Sequence, residues 1–162
     1  MAEMYEGYPI WWRGIGTPPP AEWAYVFEDL TSEDAADEWA LAAAIIIAQT
    51  RRRTGAGPAF SELFAFLMPD TSGLPGPFPD SLLPDERRLA ISGFRGHVTI
   101  EWRRRGMINF DKGVMRSLRV GHEFRKRSRR RQQEIVEGHR PGSHDEGDMS
   151  VAPVIDETST DR

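Results

Sequence analysis

Residues 102–121 read WRRRGMINFDKGVMRSLRVG, and their reading decides the fold. Arg103, Arg104 and Arg105 followed by Gly106 predict a helix end, because cations favour the negative pole of a helix and glycine accepts the left-handed stop. Ile108 and Phe110 then alternate into Asp111, Lys112 and Gly113, which predict a hairpin turn with glycine where φ must be positive. The return strand alternates Arg116, Leu118 and Val120 with Met115, Ser117 and Arg119. A helix running through a stop glycine into a basic hairpin predicts a mainly α fold with a small β-hairpin.

Working back along the chain, Pro84, Asp85 and Glu86 make a favourable first helical turn. Gly93 and Gly96 bracket Phe94 and Arg95, and each glycine costs a continuous helix about 1 kcal/mol relative to alanine. A GFRG turn between two helices is therefore expected, the helix-turn-helix plan. The alternative is one helix from Asp85 to Arg105, since Ile91, Phe94, Val98 and Trp102 also fit a single apolar stripe. With that stripe inward, Arg95, Thr99 and Arg103 fall at i, i+4 and i+8 and are expected to form an outward ridge.

Thr31 predicts the cap of a long helix, with Glu33, Asp34, Asp37 and Glu38 in its first turns. Its inward stripe is expected at Ala35, Trp39, Ala43 and Ile46 or Ile47, and it ends at Arg51, Arg52, Arg53 and Gly55. That triple arginine reads either as a solvated cap or as a contact to phosphate. Pro58 opens a further helix to Met68 with Phe60, Leu63, Phe64 and Leu67 inward. Residues 69–84 hold five prolines and two glycines, long for a connection inside a domain, and predict a functional loop or a flexible excursion.

Three regions follow: an aromatic, proline-rich arm over 1–30, a domain over 31–121 carrying the 69–84 insertion, and a basic extension over 122–162 that becomes an acidic tail. The arm holds Tyr5, Tyr8, Trp11, Trp12, Trp23, Tyr25 and Phe27 around Pro18, Pro19 and Pro20. It is expected either to pack on the core or to offer a protein partner a surface. From Gly138 onward the composition predicts disorder.

The net charge of −4 averages three unlike blocks. Residues 85–131 hold fifteen Lys and Arg against five Asp and Glu, whereas residues 1–84 carry −8 and residues 132–162 carry −6. Such segregation predicts a polyanionic partner. It also predicts that the tail competes with that partner for the basic block. Absence of cysteine excludes disulfides, thiolate metal sites and a cysteine nucleophile. No signal-peptide pattern opens the chain, and the longest apolar run, 39–48, is too short to span a bilayer, so a cytoplasmic protein without membrane contact is expected.

Thr54-Gly55, Gly57-Pro58 and Phe60-Ser61-Glu62-Leu63, with Trp102, Arg105, Gly106 and Ile108 at the junction of helix and hairpin, resemble the winged helix-turn-helix DNA-binding domains, most closely those of LexA-type repressors. The likeness covers about 80 residues. It implies a recognition helix, a hairpin wing and binding of duplex DNA, as in a transcriptional regulator. The 69–84 insertion stands where that family has a tight turn, and Ala59 where it has a capping hydroxyl. Nothing after Gly121 resembles the self-cleaving domain of such repressors, so no peptidase activity is implied.

On the residues themselves, Arg95, Thr99 and Arg103 are the expected base readers, since arginine grips guanine and threonine can touch a thymine methyl. Arg104, Arg105, Lys112, Arg116 and Arg119 are the expected phosphate contacts. His97 reads as structural or as a base or phosphate contact. No metal-ligand spacing, phosphate loop or nucleophile motif is present, so neither an enzyme nor a cofactor is expected. Two other functions fit the same composition: an adaptor that holds an acidic protein of a nucleic-acid-processing complex, and an RNA-binding protein. Nothing in the sequence fixes an oligomeric state.

Overall fold

A computed structural model describes residues 7–138. The helices are α1 (Ala21–Thr31), α2 (Glu33–Thr54), α3 (Phe60–Leu67), α4 (Pro84–Arg104) and α5 (His122–Gly138), with a two-stranded antiparallel hairpin of β1 (Ile108–Asn109) and β2 (Arg119–Val120) between the last two. The chain divides between Arg125 and Lys126 into two units. The first contains everything up to the start of α5. Of the second, residues 126–138 form the remainder of that helix. The disorder expected from Gly138 onward, and most of the 132–162 tail expected to compete for the basic block, lie outside the described residues.

α2 forms for the reasons its sequence announces. Glu33 and Asp34 occupy its first turn, Arg51, Arg52 and Arg53 its last, and Gly55 closes it at φ 86°. Its start differs from expectation: Thr31 ends α1 and caps nothing. The hydroxyls of Thr31 and Ser32 instead donate to the carbonyls of Phe27 and Glu28, each at 2.7 Å, while the chain turns the corner at Glu33 with φ 51°. The buried stripe of α2 is Ala36, Ala40, Ala43, Ala44, Ile47 and Thr50; Ala43 and Ile47 are as expected, while Ala36 and Ala40 stand in place of Ala35 and Trp39. Trp39 is only half-buried because its indole donates to Asp29 at 2.9 Å, and alanines take the closest contacts.

The described part of the N-terminal segment packs on the core, the first of the two readings expected for it. Trp11, Trp12, Ile15 and Trp23 are buried in the same core as Leu30, Ile47, Leu63, Phe64, Phe94, Val98 and Trp102. Trp11 stacks on Phe27 at 5.0 Å and meets Phe94 edge-on at 5.7 Å, and Trp12 meets Trp23 at 5.4 Å. Aromatic rings carry more apolar area than any other side chain, which is why they fill the centre. The expectation that these rings offer a partner surface is therefore corrected for the buried tryptophans. Tyr25 remains exposed, and Tyr5 lies outside the described residues.

α4 is one helix, and the expected GFRG turn is absent. Gly93 is there for contact: a Cβ at that position would collide with the backbone carbonyl of Trp11, so only glycine lets the N-terminal segment lie against the helix. Gly96 faces open space. Helix termini use half of a capping box twice, with the Ala59 N–H donating to Glu62 at 2.9 Å and the Leu83 N–H to Glu86 at 3.0 Å. The missing hydroxyl at Ala59 thus leaves α3 with one cap bond of the usual two.

The 69–84 insertion is a packed loop and not an excursion. After a 3-10 turn over Pro69–Thr71, Gly73, Pro75, Gly76 and Leu82 are buried. The Trp23 indole donates to the carbonyls of Gly76 and Pro77, each at 3.2 Å. The strands pair Ile108 with Val120 and Asn109 with Arg119. Their loop is longer than the expected three-residue turn. Asp111–Val114 forms a β-turn with Gly113 at φ 76°, and the Ser117 hydroxyl donates to Asp111 and Val114 carbonyls while accepting from the Asp111 N–H at 2.9 Å. No helix among the described residues is long and apolar enough to cross a membrane.

Candidate nucleic-acid interface

The hairpin is fixed to the helices by backbone. Arg51 donates from Nε to the Leu118 carbonyl at 2.7 Å, and the Gly57 N–H donates to the Arg116 carbonyl at 3.2 Å. These bonds lay residues 51–57 beside the return strand. On the other side, Phe110 packs edge-on against Phe60 of α3 at 5.5 Å. The hairpin loop and the solvent-facing side of α4 then enclose a cleft of about 390 Å³, lined by Phe60, Gly96, Ile100, Phe110, Val114 and Met115, with Lys112 beside it.

The outward side of α4 is not the one expected. Thr99 is 0% exposed, and its hydroxyl donates to the Arg95 and Gly96 carbonyls of its own helix at 2.9 and 3.0 Å. Arg95 is half-buried, its guanidinium 5.6 Å from the centre of the Phe64 ring and donating to the Gly73 carbonyl at 3.3 Å. Burial there holds its pKa below the ordinary arginine value. α3 and the insertion cover Arg95, and Thr99, which borders the cleft, exposes none of its surface, so both are withdrawn as base readers. From Ser92 onward the exposed positions of α4 are Ser92, Ile100, Arg103 and Arg104, with Gly96 half-buried between the first two. That face is one residue round the helix from the predicted ridge, a rotation of about 100°.

Arg103 keeps its expected exposure and lies 4.9 Å over the Phe110 ring, which joins the helix end to the hairpin. The five expected phosphate contacts divide. Arg104 pairs with Glu101 at 2.7 Å yet stays exposed. Arg105 pairs with Glu101 at 3.3 Å and also donates to the Thr31 and Glu33 carbonyls, so it braces the α1–α2 corner. Arg119 pairs with Asp111 at 3.1 Å across the hairpin loop. Lys112 is exposed at the tip with no ion pair among the described residues. His97 is structural, its Nδ1 2.9 Å from the Gly93 carbonyl one turn back.

Arg116 is held most firmly of these. Its backbone is left-handed at φ 56°, and its guanidinium grips both oxygens of Glu62 at 3.0 and 3.1 Å. That bidentate contact raises the Arg116 pKa, and together with the Ala59 N–H it lowers that of Glu62. Glu62, fifty-four residues upstream and on α3, is the participant that sequence reading missed. No local signal marks it, because the contact exists only when α3 and the hairpin meet. A second cleft, of about 510 Å³, lies beside this pair and is lined by Thr50, Arg53, Thr54, Phe66 and both partners. Arg52 and Arg53 are exposed at the end of α2.

Among the described residues no group of acidic or histidine side chains could hold a metal ion. Comparison with protein-family models, curated proteins and solved structures finds no match for this chain.

Proposed function

We propose that the protein binds duplex DNA as a winged helix-turn-helix regulator, with the Ser92–Ile100–Arg103 side of α4 entering the major groove and the hairpin tip gripping phosphate. The observation that carries the reading is the single surface formed by the exposed side of α4 and the hairpin loop, flanked by Arg103, Arg104 and Lys112. A major groove about 12 Å wide accepts one helix. Within it Arg103 suits guanine, Ser92 a base edge and Ile100 a thymine methyl. Lys112 and Arg104 meet the backbone, fixing register without reading sequence. α3 and α4 then form the helix pair, and the packed insertion replaces the tight turn between them.

Salt dependence tests this directly. The logarithm of the binding constant for duplex DNA is expected to fall linearly with the logarithm of salt, at about 0.9 per phosphate contact. Lys112→Ala is expected to weaken binding to all duplexes alike and to lower the slope by about 0.9, whereas Arg103→Ala should relax discrimination at one base position, worth about 1–3 kcal/mol. No duplex binding at low salt would reject the reading.

Glu62 gives a prediction of opposite sign. It occupies the Arg116 guanidinium, so Glu62→Gln is expected to free that cation and raise the salt slope by up to about 0.9. Unchanged binding would show that Arg116 faces no phosphate.

The apolar lining of the α4–hairpin cleft favours one second reading, an adaptor that captures an apolar side chain of a partner protein. Val114 is 57% and Met115 80% exposed beside it. Isolation of one stoichiometric protein partner that survives nuclease, and is lost in Met115→Asp, would support the adaptor over DNA binding.

A further inference from the structure

The outward side of α2 carries Asp34, Glu38, Leu41, Ile45, Ala48 and Arg52, spaced alternately by four and three residues. At 100° per residue these positions fall within an arc of about 80°, opposite the buried stripe of the same helix. α1, α3, α4 and the hairpin all contact α2, and they meet it on the buried stripe. Leu41 is therefore left 36% and Ile45 42% exposed, one turn apart.

Exposed apolar residues scattered singly are ordinary protein surface. Two features set this stripe apart. Its spacing is the 3.5-residue repeat by which two helices pair along their length. Its charge is divided, with Asp34 and Glu38 at one end and Arg52 at the other, and none of the three has an ion pair among the described residues. A second copy laid antiparallel meets this pattern position by position. Leu41 and Ile45, Glu38 and Ala48, and Asp34 and Arg52 each lie equally far on either side of Ala43, so a two-fold axis at that level sets the members of each pair opposite one another. The helix dipoles then oppose as well. Parallel pairing would instead set Asp34 against Asp34 and Arg52 against Arg52, which like charges disfavour.

From this arrangement we infer that the outward side of α2 is a self-association surface, on which two copies of the chain pair antiparallel. Leu41 of one copy packs on Ile45 of the other at the centre, and Asp34 faces Arg52 at both ends. The apolar centre holds two large side chains from each copy, which puts the contact among small, reversible interfaces. The inference is independent of the function proposed above and stands whether or not the chain binds DNA.

Sedimentation velocity on the full chain, from roughly 10 μM to 1 mM, is expected to show a monomer–dimer equilibrium. Leu41→Glu and, separately, Ile45→Glu should each weaken it at least about 30-fold, because each removes two symmetry-related apolar contacts and places two carboxylates in the seam. Both residues are exposed in the monomer and glutamate is a good helix former, so circular dichroism should show either variant folded. Exchange of charge tests the direction of pairing. Asp34→Arg should weaken the dimer about tenfold by setting like charges at both ends, and adding Arg52→Asp should restore it. A monomer throughout the concentration range would overturn the inference. A dimer indifferent to both glutamate variants would place the contact elsewhere and overturn it too, and one sensitive to them but not restored by the charge exchange would overturn the antiparallel register. A monomeric chain that captures a different protein, with capture lost in Leu41→Glu, would give this face to a foreign partner and overturn the self-association.

Discussion

Trp102→Ala is expected to lower the free energy of unfolding by about 3–5 kcal/mol, a large fraction of the stability of a domain this size. Trp102 is fully buried, stacks on Phe64 at 5.7 Å with an angle of 12° between the rings, and donates from its indole to the Leu30 carbonyl at 2.8 Å. Truncation opens a cavity where α1, α3 and α4 meet and strands a buried carbonyl, so two penalties combine. Trp102→Phe separates them. It keeps most of the apolar volume and loses the hydrogen bond, whose removal costs about 1–3 kcal/mol. Chemical denaturation followed by far-ultraviolet circular dichroism measures both. A loss under 1 kcal/mol for the alanine variant would mean that Trp102 does not join these helices.

Gly93→Ala and Gly96→Ala are expected to change stability in opposite directions, although both replace a glycine in the middle of the same helix. Helix propensity alone predicts a gain of about 1 kcal/mol for each. At Gly96 nothing lies within 4 Å of the new methyl, so that gain should appear. At Gly93 the methyl meets the Trp11 carbonyl, and the N-terminal segment must move. Overpacking of this kind costs about 1–3 kcal/mol and outweighs the propensity gain. Displacing Trp11 also disturbs its contacts with Phe27 and Phe94, so the loss should come with a change in tryptophan fluorescence. Equal stabilisation of both variants would show that the segment does not rest on α4.

Acidification acts on the hairpin through Glu62. Its pKa is lowered in the fold by the Arg116 guanidinium and the Ala59 N–H, so the carboxylate favours the folded state above the ordinary glutamate pKa. That contribution is lost as pH falls through the lowered value. Both side chains are about half exposed, which keeps the effect on global stability small. Amide exchange at Gly57 and Asp111, whose N–H groups donate to the Arg116 carbonyl and the Ser117 hydroxyl, is the sensitive measurement once normalised for the intrinsic pH dependence of exchange, with protection expected to fall in acid before the core opens. Protection that persists in Glu62→Gln would assign the hairpin's rigidity to its backbone bonds alone.

Short-range chemistry was legible in the sequence. Terminal arginines and Gly55 placed the C-terminal end of α2, proline and acidic first turns placed the starts of α3 and α4, and Asp111–Gly113 placed the hairpin turn, because caps and turns involve residues only a few positions apart. The segregation of charge into three blocks was equally plain. Tertiary packing alone decided the rest. The side of α4 that faces solvent depends on its neighbours, α3 and the insertion covering Arg95, and the helix's own sequence does not reveal which neighbour will flank its apolar stripe. Gly93 marks a contact with Trp11, eighty-two residues away, and not a turn. The fate of the arginines was likewise set at long range, since Glu62 reaches Arg116 only after the chain has folded back on itself. A guanidinium's partner is chosen by proximity in space, and composition carries no record of that distance.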